Sequence, residues 1–141
     1  MKLLKVSLLS VLFATVALVG SAFKAENTPA PAAKKFATVT YEWTNSTLFQ
    51  IGTSSSSLIG NTSNWDLGSS TPVGGSEALS QIISSYTTTQ PSEAQIVAAL
   101  QEKYEALQTN GQLSLFVDTY SFQKSLNGET VTFVVRLQDI P

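Results

Sequence analysis

The stretch TYSFQKSLNGETVTFVVRL, residues 119–137, decides the fold. Asn127-Gly128 lies near its middle. This dipeptide favours a two-residue hairpin turn, because both turn positions need positive φ. With the turn placed there, Leu126 falls opposite Glu129, Lys124 opposite Val131, Phe122 opposite Phe133 and Tyr120 opposite Val135. That register collects Phe116, Tyr120, Phe122, Val131, Phe133, Val135 and Leu137 on one face. Ser121, Gln123, Ser125, Thr130, Thr132 and Arg136 fall on the other. A slip of one residue would mix the two sets. Turn chemistry and side-chain period therefore agree on an antiparallel hairpin with one aromatic face. Asp118 and Lys124 interrupt that face and are expected at its exposed ends.

Upstream, Ser92 and Gln95 have the spacing of a capping box. Ile96, Val97, Leu100, Tyr104 and Leu107 follow as an apolar stripe, with Glu93, Gln101, Glu102, Glu105 and Gln108 on the water side. Asn110-Gly111 supplies a left-handed C-cap. A helix is predicted over residues 92–109. A second, shorter helix is predicted over residues 76–86, because Ala78, Leu79, Ile82, Ile83 and Tyr86 recur at three- and four-residue spacings behind Ser76. Phe36 to Trp43 alternates, with Ala37, Val39, Tyr41 and Trp43 against Thr38, Thr40 and Glu42, and reads as a half-buried strand.

Residues 44–76 are rich in Ser, Thr, Asn and Gly, with short apolar pieces at Leu48-Phe49-Gln50-Ile51 and Ser57-Leu58-Ile59. They are expected to form either short edge strands with a meandering loop or a mobile segment. The fold class is therefore α+β: a small antiparallel sheet with a C-terminal hairpin, and one long and one short helix packed on one face.

The N-terminus carries an export pattern. Lys2 and Lys5 precede an uncharged run from Val6 to Gly20, and Gly20-Ser21-Ala22 places small residues around a cut after Ala22. Residues 1–22 are read as a cleaved signal peptide. The run is short for a spanning helix, which needs roughly 20 apolar residues. No cysteine follows it to carry a lipid, so no stable membrane anchor is expected after cleavage. Residues 23–35, with Pro29 and Pro31, read as a flexible tether. Residues 36–141 are expected to be a single domain, exported to the periplasm or the extracellular space.

Composition excludes several chemistries. Without Lys2 and Lys5 the chain has six basic against ten acidic side chains, which argues against nucleic acid. There is no histidine and no cysteine. Ser-His-Asp and Cys-His catalysis are thereby excluded, as is ordinary zinc, copper or haem ligation. No cofactor, metal or catalytic residue is assigned.

The candidate ligand-binding residues are Trp65, Trp43 and Tyr41, whose rings would stack on sugars if exposed. Packing in the core is the competing reading, and for Trp65 both stay open. Asn61, Asn64 and Asp66 offer oxygens for calcium but only one carboxylate, so Asx turns are the simpler reading. Asn45-Ser46-Thr47 and Asn61-Thr62-Ser63 match the glycosylation sequon. The carboxylates form no motif of the kind a glycosidase pair needs.

The Lys-flanked leader, the Pro/Ala tether, and the phrases Thr40-Tyr41-Glu42-Trp43 and Ser63-Asn64-Trp65-Asp66 resemble the uncharacterised small exported proteins common in Bacteroidota. Many of those carry cysteines after the aromatic segment, and this chain carries none. The resemblance implies a bacterial envelope setting and no activity. The expectation is a non-catalytic exported protein that binds another protein or an envelope surface, marked by an exposed apolar patch around Leu48 to Ile51. The alternatives are a carbohydrate-binding module using exposed aromatics and a carboxylate-based hydrolase.

Overall fold

The computed structural model describes residues 34–68 and 74–140. The segment expected to be the signal peptide and most of the expected tether lie outside them. Five strands form one antiparallel sheet: β1 (Ala37–Trp43), β2 (Trp65–Leu67), β3 (Ala78–Tyr86), β4 (Thr119–Leu126) and β5 (Glu129–Gln138). Their spatial order is β2-β1-β3-β5-β4. Among the described residues one α-helix, α1 (Glu93–Thr109), is present, and it connects β3 to β4.

The hairpin has the register its turn dictates. Leu126 pairs with Glu129, Lys124 with Val131, Phe122 with Phe133 and Tyr120 with Val135. Asn127 and Gly128 sit at φ 54° and 79°, the positive values that a type I′ turn requires. Val131, Phe133, Val135 and Leu137 are fully buried. The Phe122 and Phe133 rings stack with centroids 4.9 Å apart. Such a pair contributes about 0.5–1.5 kcal/mol beyond its area.

Both ends of α1 carry the caps read from the sequence. The Ser92 hydroxyl accepts from the Gln95 N–H, and the Gln95 side chain accepts from the Ser92 N–H. At the far end Gly111 has φ 66°, and the N–H groups of Gln112 and Gly111 donate to the carbonyls of Leu107 and Gln108. This is a Schellman motif. Ile96, Val97, Ala99, Leu100, Tyr104 and Leu107 are the buried side chains of the helix.

The expected short helix over residues 76–86 is instead the central strand β3, paired with both β1 and β5. Two features disguise its alternation. The register shifts between Leu79 and Gln81, so one extra residue places Leu79 and Ile82, three apart, on the same face. Ser84 then occupies a fully buried position on that face, between Val39 and Phe133, where the pattern asks for an apolar residue. The remaining apolar positions, Leu79, Ile82 and Tyr86, follow helical spacing although the backbone is extended. Among the described residues one helix therefore covers the sheet where two were expected.

The opposite sheet face carries Thr38, Thr40, Ile83, Ser85, Thr132 and Val134, all on register with one another. Among the described residues no helix covers it. Glu42, Gln81 and Arg136 form one cross-strand row there: Gln81 donates to Glu42 at 3.3 Å and accepts from Arg136 at 3.4 Å.

Residues 44–68 are built from turns around single buried anchors. Phe49 and Ile59 are fully buried, and Trp65 is 2% exposed. Leu79 N–H donates to the Phe49 carbonyl and Ile51 N–H to the Glu77 carbonyl, so residues 49–51 run beside the start of β3. Ser56–Leu58 forms a 3-10 turn rather than the brief strand expected there. Thr62–Asn64 forms another, capped by the Asn61 side chain, and leads into β2. Of the short strands expected, β2 forms at the sheet edge, the Leu48–Ile51 piece makes one bridge from Gln50 to Ala78, and the Ser57–Ile59 piece is a turn. Asn64 is buried and donates to the Leu58 carbonyl at 2.8 Å, which pins this wrap from within.

Candidate functional site

The aromatic side chains settle first, because they define what is left exposed. A row of rings runs Trp65, Trp43, Phe49, Tyr104, Phe116, Tyr120, Phe122, Phe133, with neighbouring centroids 4.7–6.3 Å apart. Trp65 lies inside, its indole N–H donating to the Ile59 carbonyl at 2.9 Å. Tyr41 is 6% exposed, and its phenol is pushed above its ordinary value by burial and then by the charge of Glu93. Trp43 is half-buried, packed edge-on against Trp65 and Phe49, and its N–H reaches the Thr47 carbonyl. Trp65, Trp43 and Tyr41 are thus brought together by packing. Neither Trp65 nor Tyr41 presents a ring face of the kind a sugar stacks on.

The oxygens weighed for calcium are otherwise employed. Asn61 accepts from Ser63 N–H in an Asx turn, and the Asn64 carbonyl oxygen accepts from Asn45. Asn45 in turn accepts from Thr47 N–H. Among the described residues no three carboxylates gather. Glu42 and Asp66 are cross-strand neighbours, yet they lie on the open sheet face and line none of the clefts below.

Glu129 is the most strongly held carboxylate. It accepts from the Thr87 hydroxyl at 2.5 Å and from the backbone N–H groups of Thr87, Thr88 and Thr89 at 2.6–3.2 Å. These donors lower its pKa to about 2. A carboxylate so saturated is a clasp between the end of β3 and the hairpin turn; it has no basicity to offer near neutral pH.

A cleft of about 760 Å³ lies at the end of the sheet away from that turn. Four short segments build it. Residues 50–53 form one wall, held by Gly52 N–H donating to the Tyr104 hydroxyl at 2.8 Å and by Ser54 closing on Gln50. Leu113 and Ser114, in a 3-10 turn after α1, form the second. Phe116 and Val117 continue from it, Phe116 buried and stacked on Tyr120, Val117 49% exposed.

Ser76, Glu77 and Ile140 close the last side, with Ile140 N–H donating to the Glu77 carboxylate at 2.9 Å. Gly75 makes this side: a Cβ there would lie 2.1 Å from the Asp139 nitrogen, so only glycine lets the two backbones pass. Its carbonyl accepts from Asp118 N–H, which ties the 74–77 segment to the residues after Val117.

Ile51, Leu113, Phe116, Val117 and Ile140 give the cleft an apolar floor and rim, and Leu115, 52% exposed, is next to it in the chain. The cleft is shallow and open, and Gln50, Thr53, Ser76, Glu77 and Ser114 line it beside these apolar side chains. Glu77 is its sole ionisable lining residue. No nucleophile and base meet there. Ile51 belongs to the apolar piece expected to be exposed, of which Phe49 is fully buried; the sequence places Phe116 on the hairpin's apolar face, and no sequence pattern brings these walls together. Two smaller openings lie between α1 and β4, lined by Ala99, Ala106 and Phe122 together with charged residues, and beside the hairpin turn, lined mainly by polar residues.

Among the described residues no helix is long and apolar enough to cross a membrane. No family model, no curated protein and no solved structure matches the chain.

Proposed function

We propose that this is an exported, non-catalytic binding protein whose cleft, bounded by residues 50–53, 76–77, 113–117 and Ile140, holds a segment of a partner protein. The observation that carries the reading is the apolar lining of an open cleft, with Val117 about half exposed at its rim. Exposed apolar surface gathered in a concavity is costly to leave in water and is released on binding. Export rests on the Lys-flanked apolar leader and the small residues before Phe23. The absence of His and Cys, with one carboxylate in the cleft, supports binding over chemistry.

The test compares affinity capture from the native envelope by the wild-type chain and by Val117→Asp, whose side chain is exposed enough to keep the fold. Proteins retained by the wild type and lost with the variant support the reading. An identical set recovered by both removes the cleft from the account.

A further inference from the structure

We infer that the cleft takes an apolar segment flanked by basic side chains; this rests on the cleft being the binding site. Glu77 is the only ionisable residue that lines it. The ionisable residues adjoining the lining in sequence are carboxylates too: Asp118 follows Val117, and Asp139 precedes Ile140. All three are exposed. Two are held in place by the backbone, Glu77 by Ile140 N–H and Asp139 by Ser76 N–H at 3.1 Å.

Among the described residues no Lys or Arg lines the cleft. Lys124 pairs with Glu102 beside Lys103, in the groove between α1 and β4. Arg136 is directed to Gln81 on the open sheet face, and Lys34 lines the opening beside the hairpin turn. One carboxylate thus lines an apolar floor, two more adjoin that lining in the chain, and among the described residues no basic side chain lines it. Burial on Ile51, Leu113 and Phe116 supplies affinity. The carboxylates select the flanks, drawing positive ones and repelling negative ones at modest cost or gain per charge.

The test uses the purified chain and three dye-labelled peptides with one Leu-Val-Phe-Val core, flanked by two lysines, two serines or two glutamates, read by fluorescence anisotropy. At low salt the lysine-flanked peptide should bind up to about fivefold tighter per charged flank than the serine-flanked one. The glutamate-flanked peptide should bind weakest, and the differences should shrink at high salt. Asp118→Asn with Asp139→Asn should narrow the lysine–serine gap, read as the ratio of the two affinities within the same variant. Serine-flanked binding that Val117→Asp abolishes reports the cleft itself. If that binding occurs without a lysine–serine gap, or with a gap the double variant leaves intact, the charge selection is overturned and the cleft reading stands. If no peptide binds, both fall.

Discussion

Ser84→Ala should make the protein more stable. Ser84 lies in the central strand with no exposed surface, flanked by Val39 and Phe133 in register, and its hydroxyl has no hydrogen-bond partner among the described residues. A hydroxyl buried this way costs about 1–3 kcal/mol by mutational measure. Removing it leaves a void the size of one atom, which at about 24 cal/mol per Å³ takes back ~0.5 kcal/mol. The net gain is about 1 kcal/mol, a rise in Tm of roughly 4 °C for a domain of this size.

Urea unfolding should show a higher midpoint with an unchanged slope, since the surface exposed on unfolding is the same. Ser84→Val separates polarity from volume. It also removes the hydroxyl but crowds Phe133, and overpacking costs about 1–3 kcal/mol, so it should fall below Ser84→Ala. A lower midpoint for Ser84→Ala than for wild type would refute the reasoning, because the hydroxyl must then be satisfied.

Phe133→Ala removes a fully buried ring at the centre of the sheet and should cost about 3–5 kcal/mol in urea unfolding. Glu129→Gln should flatten the acid limb of the stability–pH curve. The carboxylate pKa is depressed from 4.5 to about 2 in the folded state, so its contribution is full above about 4.5 and is lost as pH falls toward 2; midpoints measured across that window in both proteins check this. Gly75→Ala should destabilise and displace the 74–77 segment, visible as shifted amide resonances at Ser76 and Asp139, because its Cβ meets backbone on the facing strand end. Tyr104→Phe removes the acceptor of Gly52 N–H; hydrogen exchange at Gly52 should accelerate, with a stability loss of about 0.5–1.5 kcal/mol.

The parts legible in the sequence are those where two independent signals coincide. The hairpin had a turn dipeptide and a period-two face that agreed, and α1 had a capping box ahead of a helical stripe. The strand β3 failed that test for a physical reason. A bulge shifts its phase by one residue and Ser84 replaces an apolar side chain, so its surviving apolar positions mimic a helix. Residues 44–68 carry no period because their order comes from isolated anchors. Phe49 meets Tyr104, and Trp65 meets the Ile59 carbonyl, through contacts that no local pattern encodes. The candidate aromatics were named for exposure, but exposure is a tertiary property, and the ring of Trp65 is out of solvent.

The position of the cleft follows from the same anchors. The helix stops at its Gly111 cap while the sheet continues past it, through β5 to Gln138. At that end the buried rings Phe49 and Phe116 give way to less buried apolar side chains of the cleft lining, among them Ile51, Leu113 and Val117. None of these is fully buried, since no further element lies over them among the described residues. The apolar floor is therefore the outer skin of the aromatic row rather than a separate pocket. A ligand seated there would extend the core, with its apolar area supplying the layer the fold leaves out. Its affinity should then depend on the walls that Tyr104 and Gly75 hold in place, because a wall that moves must be ordered again on binding at a cost in conformational entropy.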